Sequence, residues 1–244
     1  MNARATFATT RRVLSQLRHD RRTLAMLLVV PCLLVGLLAW VFDGTDTFDR
    51  VGAPLLGVFP FVVMFLVTSV ATLRERTSGT LERLLTMPIG KLDFLLGYAL
   101  AFGALAVAQA ALASTLALSV LGLEVAGPAW LLVVVALLDG LLGMALGLLV
   151  SAFAQTEFQA VQFLPAVVLP QFLLCGLLVP REAMGDVLRR VSDVLPLSYA
   201  VDAMRHVSTT AAVDAGVLGD VAVVAAAILL ALGLGAATLR RQSS

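Results

Sequence analysis

One carboxylate in this chain stands where a carboxylate is costly. Asp139 interrupts an otherwise uncharged apolar run from Val125 to Thr156. An ionised acid at mid-membrane depth costs about 2.5–3.5 kcal/mol on insertion scales, so this group must face protein or water, or carry a proton. It suits a transport path or a dimer interface, and equally a helix-to-helix hydrogen bond. Gly143 and Gly147 follow it as a GxxxG pattern, which permits close helix approach but is common by chance in apolar segments. The other concentration of polar side chains is the segment Arg74-Glu75-Arg76-Thr77-Ser78-Gly79-Thr80-Leu81-Glu82-Arg83-Leu84-Leu85-Thr86-Met87-Pro88.

Little else could do chemistry. His19 and His206 fall outside the apolar runs, so paired haem ligands within a bundle and an intramembrane serine–histidine pair are disfavoured. No cluster of His, Cys or carboxylates has metal-ligand spacing. The only lysine, Lys91, is followed by Leu92, so no GxxxxGK[ST] phosphate-cradling loop exists. The chain is therefore expected to bind no cofactor itself. ATP and Mg, if used, sit on a partner ATPase. Cys32 and Cys175 lie inside apolar runs and read as small buried hydrophobes rather than a disulfide.

The elements that must position these groups follow from composition. The 244 residues are 60% hydrophobic and 14% charged, with a mean hydropathy of +0.98; a soluble chain has about 25% charged residues. A net charge of +1 offers no broad basic field for nucleic acid. A bilayer core of about 30 Å needs about 20 apolar residues in helix. Six runs meet this: 24–42, 51–73, 94–123, 130–154, 158–180 and 217–239. They are apolar on all sides, unlike the alternating strands of a membrane barrel. An all-α integral membrane protein with six transmembrane helices in a single domain over 1–244 is expected. The third run is too long for one straight crossing, and Pro54, Pro60, Pro165 and Pro170 should kink or locally break their helices.

Twelve of the seventeen basic residues fall on the side of the N-terminus and five on the other, which places both termini in the cytoplasm. Arg11-Arg12 precedes an apolar stretch, but that stretch is longer than a signal core and no small-x-small site follows, so the first span reads as uncleaved. Residues 1–23 place Phe7, Leu14 and Leu17 on one helical face with Val13 beside them and six arginines around them. This predicts an amphipathic helix on the cytoplasmic leaflet, contacting membrane lipid; a pure topology signal is the plainer reading.

Between spans two and three, Gly79 suits a turn and Thr80 a helix start. Glu82 falls in the positive first turn. Leu81, Leu84 and Leu85 share a narrow face and Pro88 ends the element. The run Arg74 to Pro88 resembles the signature of the type-2 family of ABC transporter permeases, near its daunorubicin-exporter-like branch. Met87 departs from the threonine common before the proline. A second stretch agrees: Cys175-Gly-Leu-Leu-Val-Pro180-Arg-Glu, then Leu195-Pro-Leu-Ser-Tyr-Ala-Val-Asp-Ala-Met-Arg205. The resemblance implies a membrane subunit of an ATP-driven exporter in the cell membrane. Two soluble ABC ATPase subunits would dock on its cytoplasmic face, and a second permease, identical or a sister, would pair with it. It implies that Glu75, Gly79, Thr80, Leu81, Glu82, Leu84, Leu85 and Pro88 form the ATPase-coupling element, with the N-terminal helix as a second contact. The alternative for Glu75, Glu82 and Arg83 is ordinary solvated charge.

Between spans five and six, Met184, Val187, Leu188, Val191 and Val194 form an apolar stripe opposite Asp186, Arg189, Arg190 and Asp193. This predicts an interfacial or re-entrant helical segment on the outer side. A second short helix after Pro196 carries Tyr199, Asp202 and Arg205, the last two spaced to pair locally. Pro180, Pro196, Tyr199, Asp202 and Arg205 read as closure of the outer mouth. The resemblance points to an amphipathic drug, antibiotic or lipid-like cargo. Polysaccharide export, an ion-coupled secondary carrier using Asp139, and a non-transporting membrane assembly or sensor protein are the other readings.

Overall fold

The computed structural model describes residues 3–43, 45, 47–77 and 91–238. All regular structure among them is helical. Helix α1 (Ala3–His19) leads into α2 (Arg21–Val41) and α3 (Thr47–Thr77). Then α4 (Lys91–Thr115) runs on through a π-helical turn at Leu116–Val120, and α5 (Ala129–Ser151) follows. Helix α6 (Glu157–Phe163) joins α7 (Leu169–Leu174) across a π-helical turn at Leu164–Val168. A 3-10 turn at Arg181–Ala183 precedes α8 (Asp186–Ser192), α9 (Pro196–Thr209) and α10 (Ala215–Thr238). Among the described residues six helices are long and apolar enough to cross a membrane: α2, α3, α4, α5, the α6–α7 unit and α10. The six-span, all-helical architecture expected from composition is the one observed.

The sequence of the runs accounts for where each helix sits. Helices α3 and α5 are the most enclosed, while α2, α6–α7 and α10 leave most of their surface outward, as suits apolar helices facing lipid. The core between them holds Phe61, Met64, Phe65, Tyr98, Phe102, Leu132 and Leu142. Both α3 and α5 run from the end of the bundle opposite α1 to the end that carries it, so they are parallel neighbours in one register. Gly143 lies on the Phe61 backbone, where a Cβ would collide with the carbonyl oxygen of Phe61; at Gly147 a Cβ would stand 2.6 Å from that of Phe65. One turn earlier Gly57 of α3 faces Asp139 of α5. Residues 57, 61 and 65 thus oppose 139, 143 and 147, two rows of i, i+4, i+8 ridge packed together.

Several local expectations change. Pro54 and Pro60 lie inside the continuous 31-residue helix α3 rather than at a break. Neighbouring helices on several sides hold its course where proline removes backbone hydrogen bonds. In the fifth span the π-helical turn contains Pro165, and Pro170 opens α7, where its missing N–H is harmless. That helix stops at Leu174, short of 180, because Gly176 turns the chain at φ +89°, a conformation that suits glycine. Both cysteines are free; Cys175 is buried but Cys32 only partly so. Residues Gly79, Thr80, Leu81, Glu82, Leu84, Leu85 and Pro88 lie outside the described residues.

The ridge makes a test. Gly143→Ala and Gly233→Ala both raise helix propensity, by up to about 1 kcal/mol. Only position 143 is closed to a Cβ; at Gly233 nothing lies within 4 Å. Overpacking typically costs about 1–3 kcal/mol, so Gly143→Ala should lower the apparent melting temperature in detergent and Gly233→Ala should not. Equal melting temperatures for the two variants would refute the close contact.

Candidate functional site

At the end of the bundle where α1 lies, the chain converges on the two helices that flank residues 78–90. Asp20 breaks the α1–α2 course and caps α2: the Thr23 N–H donates to it at 3.1 Å and the Thr23 hydroxyl at 2.6 Å. With these bonds, and the Arg74 guanidinium adding to them, its carboxyl is held below the usual carboxylate range. The break lays α1 across the first turns of α4. Thr9, Val13 and Leu17, spaced four apart, form its buried stripe, with Thr9 seated on Gly97. Phe7 is exposed and Leu14 only partly covered. The apolar residues of α1 therefore divide between a protein-facing and an outward face, rather than sharing one, because the small Thr9 completes the inner stripe.

From that seat α1 reaches both stems. Arg12 donates to Glu75 near the end of α3 at 3.1 Å, and to the Tyr98 hydroxyl of α4 at 3.0 Å. Gln16 donates to the other Glu75 oxygen at 2.9 Å. On the α4 side, the Thr6 hydroxyl donates to Asp93 at 3.4 Å and the Thr10 hydroxyl to the Gly97 carbonyl at 3.2 Å. The α3 stem is held again from behind. Arg74 binds Glu157 of α6 through two bonds of 2.7 and 3.0 Å, and Arg76 donates to the Ser151 carbonyl at the end of α5. The Arg74–Glu157 pair is more than half exposed, so it orients more than it stabilises. Arg12–Glu75 is better enclosed, and hydrogen bonds to charged groups are worth about 1.5–3 kcal/mol.

Of the site residues named from sequence, Glu75 lies in this cluster. Asp139, Gly143 and Gly147 lie together on the α3–α5 ridge, deep in the bundle. Asp139 is fully buried, and neither of its oxygens has a hydrogen-bond partner among the described residues. It faces Gly57 and Met204, and a Cβ at Gly57 would stand 2.8 Å from the Met204 methyl. Pro180, Pro196, Tyr199, Asp202 and Arg205 gather at the opposite end. There the expected Asp202–Arg205 pair does not form. Arg181 takes Asp202 and Asp193 together and stacks over Tyr199, 5.2 Å from the ring centre. Arg205 instead donates to the Gly176 carbonyl at 2.6 Å. A guanidinium arriving from the turn before α8 meets Asp202 head-on, whereas Arg205, one turn further along α9, reaches back to the loop. Burial nevertheless keeps the Asp202 carboxyl above its ordinary range despite Arg181. The stripe Val187, Leu188, Val191 and Val194 is exposed.

Sequence reasoning missed Thr6, Thr10, Arg12, Gln16, Tyr98, Glu157 and Arg181. Their partners are distant in the chain, so no local spacing announces them. The one available signal was Thr9-Val13-Leu17, an i, i+4, i+8 stripe marking which side of α1 meets protein.

Six helices long and apolar enough to cross a membrane, an amphipathic helix bound to both stems of one inter-span segment, and a short helical pair at the far end describe a multi-pass membrane protein. The family model described as ABC-2 type transporter matches residues 4–208. The chain belongs to that family, as a membrane permease component. It is similar to the probable multidrug ABC transporter permease YbhS of Escherichia coli, 26% identical over 174 residues, covering 71% of this chain and 46% of that protein. Permease YbhR of the same organism is 26% identical over 153 residues, covering 63% and 42%. ABC transporter G family member 20 of Dictyostelium discoideum is 24% identical over 159 residues, covering 65% and 22%. The chain thus spans about half the length, or less, of these curated relatives.

Asp139 yields a second test. Asn keeps the size and polarity of the side chain, so Asp139→Asn should preserve assembly and most transport if the group only fills the ridge. A variant that assembles at parental levels yet transports nothing would show that the carboxyl must carry a proton.

Proposed function

We propose that the chain is the membrane half of an ATP-driven exporter, coupled to a soluble ATPase through residues 79–88. The observation that carries this reading is the bracing of both flanks of that segment: Arg12 and Gln16 on Glu75, Thr6 on Asp93 and Thr10 on Gly97. A passive link between two spans has no need of a third helix fastened to each side of it. Such bracing suits a segment that receives force and passes it on. In the family pattern, two ATPase subunits would seat two permeases, identical or sisters, with ATP and Mg held by the ATPases. The end carrying α1 is then cytoplasmic and the membrane is the cell membrane. An amphipathic drug, antibiotic or lipid-like cargo is supported by the apolar spans and by the multidrug permeases among the relatives.

On this reading Leu81 and Leu85 fill a cleft of the ATPase, and covering each fully contributes about 1.5–3 kcal/mol. Leu85→Asp should insert normally but lose ATPase pull-down and transport. Arg12→Ala should keep docking while cargo-stimulated ATP hydrolysis drops several-fold, because one brace is gone. If Leu85→Asp retains the ATPase and hydrolyses at the parental rate, the segment is not the coupling element.

Topology can be tested separately. In a chain lacking Cys32 and Cys175, single cysteines at Ser78 and Ser243 should resist an impermeant label applied to intact cells, and those at Asp46 and Asp186 should react. Labelling at position 78 from outside would invert the orientation.

A further inference from the structure

Behind the α1 brace lies a crevice of ≈ 510 Å³, bounded by α1, the first turns of α2, the last turns of α3, Tyr98 and Phe102 of α4, and Val161 of α6. Its volume is within the range of about 300–1,000 Å³ typical of small-molecule sites. One end is polar, with Gln16, Asp20, Thr23, Arg74 and Glu75, and the walls below are Met26, Leu66, Val67 and Val70. From Arg74 to Leu66 is eight residues of helix, about 12 Å at 1.5 Å per residue. The hydrocarbon of one leaflet is about 15 Å deep, half of a 30 Å core. The apolar wall is therefore about as tall as one leaflet, and its polar rim falls at headgroup level.

The crevice opens sideways past Met26 and Val161, both exposed, so a chain can enter it from the bilayer. Its rim offers both signs of charge. Asp20 is exposed, and Thr23 donates to it through its N–H and its hydroxyl. Arg74 commits Nε and Nη2 to Glu157, and Nη1 has no partner among the described residues. An anionic headgroup would meet Asp20 and Glu75, and a purely cationic one would meet Arg74; a headgroup carrying both charges fits.

We propose that this crevice binds one zwitterionic phospholipid, its ammonium at Asp20, its phosphate at Arg74 and an acyl chain along Leu66, Val70 and Met26. The site goes beyond the permease reading and stands without it. The bound lipid would touch Glu75, and so rest against the α3 stem that Arg12 and Gln16 hold.

The test uses the purified full-length chain in detergent, titrated with 1-palmitoyl-2-oleoyl phosphatidylethanolamine and with the matching phosphatidylglycerol, and native mass spectrometry to count retained lipid. The parent should hold one phosphatidylethanolamine per chain in preference to phosphatidylglycerol. Val70→Trp fills the crevice and Val161→Trp blocks its open side from an exposed position; each should weaken retention at least tenfold. Asp20→Asn keeps the helix cap, since Asn and Asp cap equally well, but removes the charge. It should cut the preference for phosphatidylethanolamine at least fivefold, with phosphatidylglycerol held at least as well as before. Parental retention in both tryptophan variants would overturn the proposal. So would no one-to-one lipid, a parental preference for phosphatidylglycerol, or a crevice occupied by a partner subunit that crosslinks to position 161.

Discussion

The contact on which the rest of this structure depends is the backbone approach of α3 to α5. Lipid gives apolar helices no hydrophobic reason to associate, so packing must supply it. Gly143 and Gly147 let α5 lie directly on the carbonyls of Phe61 and Phe65. The same ridge fixes Asp139 against Gly57, which explains how a carboxyl can be fully enclosed: the glycine opposite makes its room. Three successive turns in contact also set the register of the two helices. A slip by one turn would drive Asp139 onto the Phe61 backbone. The remaining helices then arrange themselves around a pair that cannot slide.

That pair also fixes what happens at the end carrying α1. Helix α3 continues as one helix to Thr77, and α5 stops at Ser151, so the Arg76 bond to the Ser151 carbonyl ties the end of α3 to its neighbour. Helix α1 completes the brace by working on two faces. Thr9, Val13 and Leu17 settle on α4, and Arg12 and Gln16 turn from that seat toward Glu75. Arg4, Arg11 and Arg18 are left exposed on its outward side.

Much of this was legible in the sequence, for a physical reason. In lipid only helices and closed barrels satisfy the backbone, so six apolar runs without alternation leave one architecture. The pattern from Arg74 to Pro88 and the second stretch around Pro196 pointed to the family. What could not be read was pairing at a distance. GxxxG at 143 and 147 names a close contact but not its partner, and nothing local says that Phe61 is opposite. Asp202 and Arg205 looked like a pair because they are three apart, yet Arg181, twenty-one residues away, takes the carboxylate. Phe7, Leu14 and Leu17 looked like one stripe on the membrane surface, yet Leu17 is buried with Thr9 and Val13 while Phe7 stays exposed. Local spacing limits which contacts are possible, and the tertiary neighbours choose among them.

A force applied at the α3 stem has few ways to be absorbed. Thirty-one residues of unbroken helix extend about 46 Å at 1.5 Å per residue, well beyond a hydrocarbon core of about 30 Å. Bending would have to occur at Pro54 or Pro60, but both are buried and held by neighbours on several sides. Sliding is blocked by the glycine ridge. What remains is rotation of α3 and α5 together, as one body. At the half away from α1 this body meets α9, whose Met204 lies on Gly57 and whose Leu197, Val201 and Val207 are buried in the same core. Helix α9 is in turn fastened by Arg181 and Arg205 to the loop after α7. Under the exporter reading, a push at Glu75 therefore arrives at the outer mouth as a displacement of α9 against that loop, without any helix between them having to unfold.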